Sequence, residues 1–222
     1  GGFSPSIAAF AIARIRGGTE ATRDLWRRAV QFRLGGRWYL IAIGVFVLVQ
    51  AAQLVSVALS GAALIRPPYF DQPLVLVGSI PALLLLGPIS EEFGWRGYAL
   101  DRLLARFSRP ATNLILGLVW SVWHLPLFFI PGTSQSRLGA PGAAFAVFTV
   151  QVLALTVIYT WIYRKTNRSI WSAIFLHFMT AFAATIAGGF IPGGGSFINA
   201  ASVGTYVVIA AIITIAEDLR RE

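Results

Sequence analysis

The sequence predicts an all-α, polytopic integral membrane bundle with about six full spans and a partial one at its N-terminus. Three observations lead there: an apolar composition, a series of apolar runs long enough to cross a bilayer, and a one-sided distribution of basic residues. Of 222 residues, 56% are hydrophobic and only 12% are charged, and mean hydropathy is +0.71. Soluble domains carry about 25% charged residues, and a soluble chain of this length could not hide so much apolar surface. The chain contains no cysteine, which excludes disulfides, thiolate metal sites and cysteine nucleophiles.

The first dozen residues, including Phe3, Ile7, Phe10 and Ile12, are apolar but too few to span, since a crossing needs about 20. The order is wrong for a signal peptide, which places charge before the apolar run. They read as the end of a membrane helix whose start lies upstream, so residues 1–222 are expected to be one N-terminally truncated membrane domain. Residues 14–37 form a basic stretch with seven arginines. Leu25, Trp26, Ala29, Val30 and Phe32 recur within it at roughly helical spacing, which predicts a cytoplasmic, partly amphipathic segment on the membrane surface.

Six spans follow. The first runs from Trp38 to Leu64 and ends in the turn Arg66-Pro-Pro-Tyr-Phe-Asp-Gln-Pro73. The second starts near Leu74, passes Pro81 and Pro88, and continues to Arg102. The third covers Ala111 to about Ile130, the fourth Gly142 to Tyr163, the fifth Ser169 to about Ala187, and the sixth Val203 to Ile215. A glycine-rich connector, 188–202, precedes the last. If residues 14–37 lie inside, alternation also places inside the four arginines of Arg96–Arg109, then Arg164, Lys165 and Arg168, and finally Arg220 and Arg221. Only Arg66 and Arg137 fall outside, a split of 16 to 2 among the 18 basic residues. The positive-inside rule is then satisfied throughout. It also accounts for the net charge of +9 without a nucleic-acid partner, because no basic face exists away from those loops. Lys165 is the only lysine, an arginine bias that suits a GC-rich bacterial genome and a bacterial inner membrane.

Ionisable residues inside a membrane are functional candidates, because each costs several kcal/mol there. Glu91 and Glu92 stand in Gly87-Pro-Ile-Ser-Glu-Glu-Phe-Gly-Trp-Arg96, and the two histidines, His124 and His177, lie in other spans. At 1.5 Å per residue, Glu91 is about 15 Å deep, His177 about 12 Å and His124 about 20 Å. Three helices therefore bring an acid and two imidazoles to similar heights, within core spans expected over 74–187. Glu92 and Arg96, four apart, can pair on one helix face. Pro126 frees a carbonyl near Val122, which can widen a cavity.

Other protease chemistries lack their parts. Ser196 in Gly193-Gly-Gly-Ser has no histidine at its level for activation. All four aspartates lie in loops or at helix ends, and neither histidine belongs to a His-Glu-x-x-His pattern. Glutamate with histidine remains.

Glu91-Glu92-x-x-x-Arg96, Trp120-x-x-x-His124 and the later His177 resemble the CAAX-protease and bacteriocin-processing (CPBP, or Abi) family of membrane proteins. Its pattern is Glu-Glu-x-x-x-Arg, Phe-x-x-x-His and His-x-x-x-Asn, and the likeness covers roughly residues 23–187. Trp120 replaces phenylalanine, and Ala181 stands where the family often has asparagine, with Thr180 beside it as a substitute hydroxyl. The resemblance implies an intramembrane endopeptidase in which Glu91, with His124 beside it, activates water. His177 would stabilise the oxyanion, and Glu92, Arg96, Trp120 and Thr180 would support them. It implies a peptide or membrane-protein substrate reached from the bilayer, near the cytoplasmic face, in bacteriocin maturation or immunity. A metal-free mechanism is expected; if zinc is bound, Glu91, His124 and His177 would be its ligands. Two alternatives remain: a non-catalytic scaffold or immunity regulator of the same fold, which Ala181 favours, and a proton-coupled transporter using the Glu/His cluster.

Overall fold

The computed structural model describes residues 2–139, 141–191 and 200–219. Ser196 with most of the glycine-rich connector, and Arg220 and Arg221, lie outside the described residues. All regular structure among the described residues is helical. Six helices are long and apolar enough to cross a membrane: α2 (Gly36–Leu59), α3 (Pro73–Leu104), α4 (Arg109–Phe129), α5 (Pro141–Lys165), α6 (Ile170–Gly189) and α7 (Ala200–Asp218). The protein is a multi-pass helical bundle, and the expected spans agree with these to within a few residues at most ends. The largest difference is at the end of α2, which stops at Leu59 rather than Leu64. There the chain turns so that the Ile65 N–H reaches the Phe190 carbonyl (2.9 Å) and the Tyr69 hydroxyl donates to Ile186 O (2.9 Å). Burial raises the Tyr69 phenol above its ordinary pKa.

Most residues before α2 are helical, as the spacing of their apolar positions predicts. They form one helix, α1 (Ser4–Ala29), broken at Gly18 by φ +63° and ψ −155°. Side chains rarely adopt that backbone, so glycine permits a sharp reversal there. On a straight helix Phe10 and Trp26 would be about 24 Å apart. Their ring centroids lie 5.3 Å apart, and each ring also meets Phe93 of α3, at 5.0 and 5.1 Å. α1 is thus a hairpin clasping α3. Its first arm runs alongside the membrane-depth part of α3, where the Ser6 hydroxyl donates to Ile89 O (3.1 Å). A Cβ on Gly94 would lie 2.5 Å from Pro5, so the two backbones touch only because residue 94 is glycine.

α5 is the central helix. Val152, Leu155, Ile158, Tyr159 and Ile162 are buried in one core with Val45 and Val49 of α2 and Val203, Tyr206 and Ile213 of α7. Outward, large apolar side chains such as Leu59 and Leu74 are more than four-fifths exposed. A lipid-facing surface needs that pattern and a water-facing one does not.

The arginines at the basic ends do more than set orientation. Asp101, at the end of α3, accepts hydrogen bonds from Arg28 (3.1 Å), the Tyr163 hydroxyl (3.0 Å) and Arg168 (2.5 Å). Arg28 also donates to Gly97 O (2.7 Å). This cluster joins α1, α3, α5 and the turn before α6, and the bond to Asp101 holds the Arg168 guanidinium protonated above its ordinary range. Arg109 and Arg164 both pair with Glu217, closing α7 onto α4 and α5.

Candidate active site

The site is built on an irregular stretch of α3. Pro81 and Pro88 have no N–H to give the helical ladder. Around the second, the helix loosens to π-helical turns over Leu85–Ile89, returns to α over Ser90–Glu92, and loosens again over Phe93–Ala99. Such π turns are rare and occur often at functional sites. Adjacent on the helix, Glu91 and Glu92 point to different sides, and both are buried, at 5% and 0% exposure.

Glu91 Oε2 accepts two indole N–H bonds, from Trp120 (2.8 Å) and Trp95 (3.2 Å). Glu92 accepts two contacts from Arg96 Nη1 (2.9 and 3.1 Å), as the i,i+4 spacing predicts, and a second group reaches it from α6: His177 Nδ1, at 2.8 Å. Arg96 is fully buried. Its Nε and Nη2 have no hydrogen-bond partner among the described residues, and its Cζ lies 4.2 Å from the ring centroids of both Trp120 and Tyr159. A desolvated guanidinium on an aromatic face gains about 2 kcal/mol, which offsets part of that loss.

His124 Nδ1 lies 2.9 Å from the Trp120 carbonyl. A carbonyl can only accept, so Nδ1 carries the proton and Nε2 of the neutral ring keeps a lone pair. Glu92, paired with Arg96, likewise serves as the acceptor for His177 Nδ1. His177 Nε2 lies 3.4 Å from the position of a Cβ on Gly87, so glycine there leaves room beside that nitrogen.

The seven residues expected at the site, Trp120 among them, are therefore gathered in one region of the bundle. The Trp120 ring centroid is 5.9 Å from that of His124, 5.8 Å from that of His177 and 5.8 Å from that of Tyr159. Thr180 is present but committed. Its hydroxyl donates within its own helix, to His177 O (2.8 Å) or Leu176 O (3.0 Å), and meets the Tyr159 hydroxyl at 3.0 Å. Among the described residues no three His, Asp or Glu side chains are arranged to hold a metal ion. In the conditional zinc set Glu91/His124/His177, each imidazole turns Nδ1 to an oxygen, Trp120 O or Glu92, which is the arrangement that orients a metal-bound histidine, and the indoles hold only Oε2 of Glu91.

Tyr159, Trp95 and the Glu92–His177 pair were missed from sequence. Tyr159 carries one signal, a phenol in the middle of an apolar span. A cavity of about 470 Å³ opens onto the site, lined by Trp120, His124, Tyr159, His177 and Thr180, and reaches Gln135 and Arg137 in the loop after α4. That loop is at the end opposite the arginine-rich ends.

These features define a class: a membrane-embedded helical bundle that encloses two carboxylates, two imidazoles and a guanidinium beside a cavity. A profile of the type II CAAX prenyl endopeptidase Rce1-like family matches residues 73–183, half of the chain. The chain belongs to that family. A similar protein is CAAX prenyl protease 2 of Methanococcus maripaludis, 38% identical over 98 residues. The aligned segment covers 44% of this chain and 36% of that relative, so the match spans about a third of the relative's length.

Proposed function

We propose that the protein is an intramembrane endopeptidase of a bacterial inner membrane, hydrolysing a peptide bond with water activated by Glu91. The observation that carries the reading is the pair of indole N–H bonds on Glu91 Oε2, made by Trp120 and Trp95. They hold one carboxylate oxygen and leave the other, Oε1, to take a proton. Water adds to the carbonyl carbon as Glu91 accepts that proton, and the carbonyl oxygen gains negative charge. The C–N bond then breaks, and the proton passes to the departing amine.

His124, whose Nε2 keeps a lone pair, orients the water. His177 is fixed by Glu92 in the way a carboxylate fixes the histidine of a triad. When protonated at Nε2, it donates to the oxyanion. Arg96 neutralises Glu92, so Glu92 positions His177 and does not compete as a base. General-base catalysis of this kind contributes about 10²–10⁴-fold. The similarity to an archaeal CAAX prenyl protease supports the peptidase class, and the substrate is a membrane-embedded peptide of unspecified origin. Ala181, an apolar wall of the cavity, favours the second reading, a catalytically silent scaffold.

The test is turnover of an internally quenched peptide library by the purified chain in nanodiscs. Wild type is expected to cleave a subset, and Glu91→Gln to lose at least about 100-fold in kcat with unchanged folding. Equal turnover by both chains would overturn the assignment of Glu91, and no turnover by wild type would favour the scaffold.

A further inference from the structure

The cavity walls mix apolar and polar groups, and two of the amides that line it come from membrane-spanning helices: Gln50 on α2 and Gln151 on α5. Gln151 is nine-tenths buried, and the Oε1 atoms of both are buried without a hydrogen-bond partner among the described residues. At membrane depth an unpaired amide oxygen is costly. Their neighbours Val49 and Val152 do pack as ordinary core. Gln151 also lies one helical turn beyond Phe148, whose ring centroid is 5.1 Å from that of His124. Its amide thus stands next to the reactive end of the cavity.

A carboxamide offers one acceptor and one donor group, with oxygen and nitrogen exchangeable by a flip. Lipid tails have nothing to pair with it. A helical peptide has already satisfied its own N–H and C=O groups, whereas an extended one has both free. We infer that Gln50 and Gln151 bind the backbone of an extended, unwound peptide substrate, hydrogen-bonding its N–H and C=O groups while Val49, Val152, Leu155 and Ala184 receive its apolar side chains. This rests on the endopeptidase reading and adds to it a requirement: the substrate segment must leave its helix before it is cut.

The experiment uses the full chain in nanodiscs and the best-cleaved peptide of the quenched library, together with versions N-methylated at one amide at a time. Gln50→Leu and Gln151→Leu are each expected to raise KM about 3- to 10-fold, the weight of one hydrogen bond, with kcat within about twofold. One N-methylation should cost wild type a similar factor and cost the matching glutamine variant nothing further. Thermal melting of the leucine variants, with Gln→Met as a second substitution, checks that each is folded. An unchanged KM in folded variants, or N-methylation losses identical in variant and wild type, would overturn the inference while leaving Glu91 catalysis standing. If wild type cleaves no library peptide and the Glu91→Gln chain binds none by fluorescence anisotropy, the endopeptidase reading fails and this inference fails with it.

Discussion

Arg96→Met is the most informative single perturbation of the fold. Arg96 and Glu92 have fully buried side chains and pair at 2.9 Å, and no solvent can compensate the carboxylate when the guanidinium is removed. Breaking a buried pair from one side costs about 3–5 kcal/mol. For a chain of this size that is a fall of about 6–20 °C in melting temperature. Replacing both partners with neutral residues of similar volume is often close to neutral, so Arg96→Met/Glu92→Gln should recover most of the loss. Arg96→Lys should fall between, because a point charge cannot reproduce the planar contact with Trp120 and Tyr159. The assay is differential scanning fluorimetry of the four chains in one detergent. A melting temperature for Arg96→Met within about 2 °C of wild type, or a double variant no better than the single one, would refute the reasoning.

Three further outcomes are expected. Trp120→Phe keeps an aromatic ring and removes the 2.8 Å N–H bond to Glu91; kcat/KM should fall about 10- to 100-fold with little change in melting, and unchanged kinetics would contradict the role given to that bond. Gly94→Ala places a methyl against Pro5, so α1 must shift at a cost of about 1–3 kcal/mol. Faster tryptic cleavage after Arg14 and Arg16, with a lower melting temperature, would register it, and wild-type values would exclude the clasp. The chain has two histidines, so ¹⁵N-histidine labelling yields two rings, assigned with His124→Gln and His177→Gln. Both should be protonated at Nδ1; an Nε2-only proton on either would contradict the contacts to Trp120 O and Glu92.

The spans were legible because each is a long apolar run punctuated by proline, glycine or arginine. Glu91, His124 and His177 were legible because ionisable groups stand out in such runs and helical rise converts position to depth. Glu92–Arg96 was readable from one helix alone. The Glu92–His177 contact joins residues 85 apart in the chain, and it depends on how far each helix is rotated about its own axis. Two π-helical stretches in α3 alter that rotation, and 3.6-residue periodicity gives no sign of them. Trp95 follows Glu91 at the same four-residue spacing as Arg96 follows Glu92, so its bond to Glu91 was readable from one helix too. The hairpin was hidden for a different reason. The arginines of residues 14–37 read as a solvated surface, but Arg28 is buried against Asp101, Tyr163 and Gly97.

Whether solvent water is delivered to a peptide carbonyl by Glu91 can be read in one measurement: mass spectrometry of products formed by the reconstituted chain in H₂¹⁸O. Wild type should release fragments whose new carboxyl group carries one ¹⁸O, and Glu91→Gln should release none above background. Labelled fragments at equal rates from both chains would contradict the account.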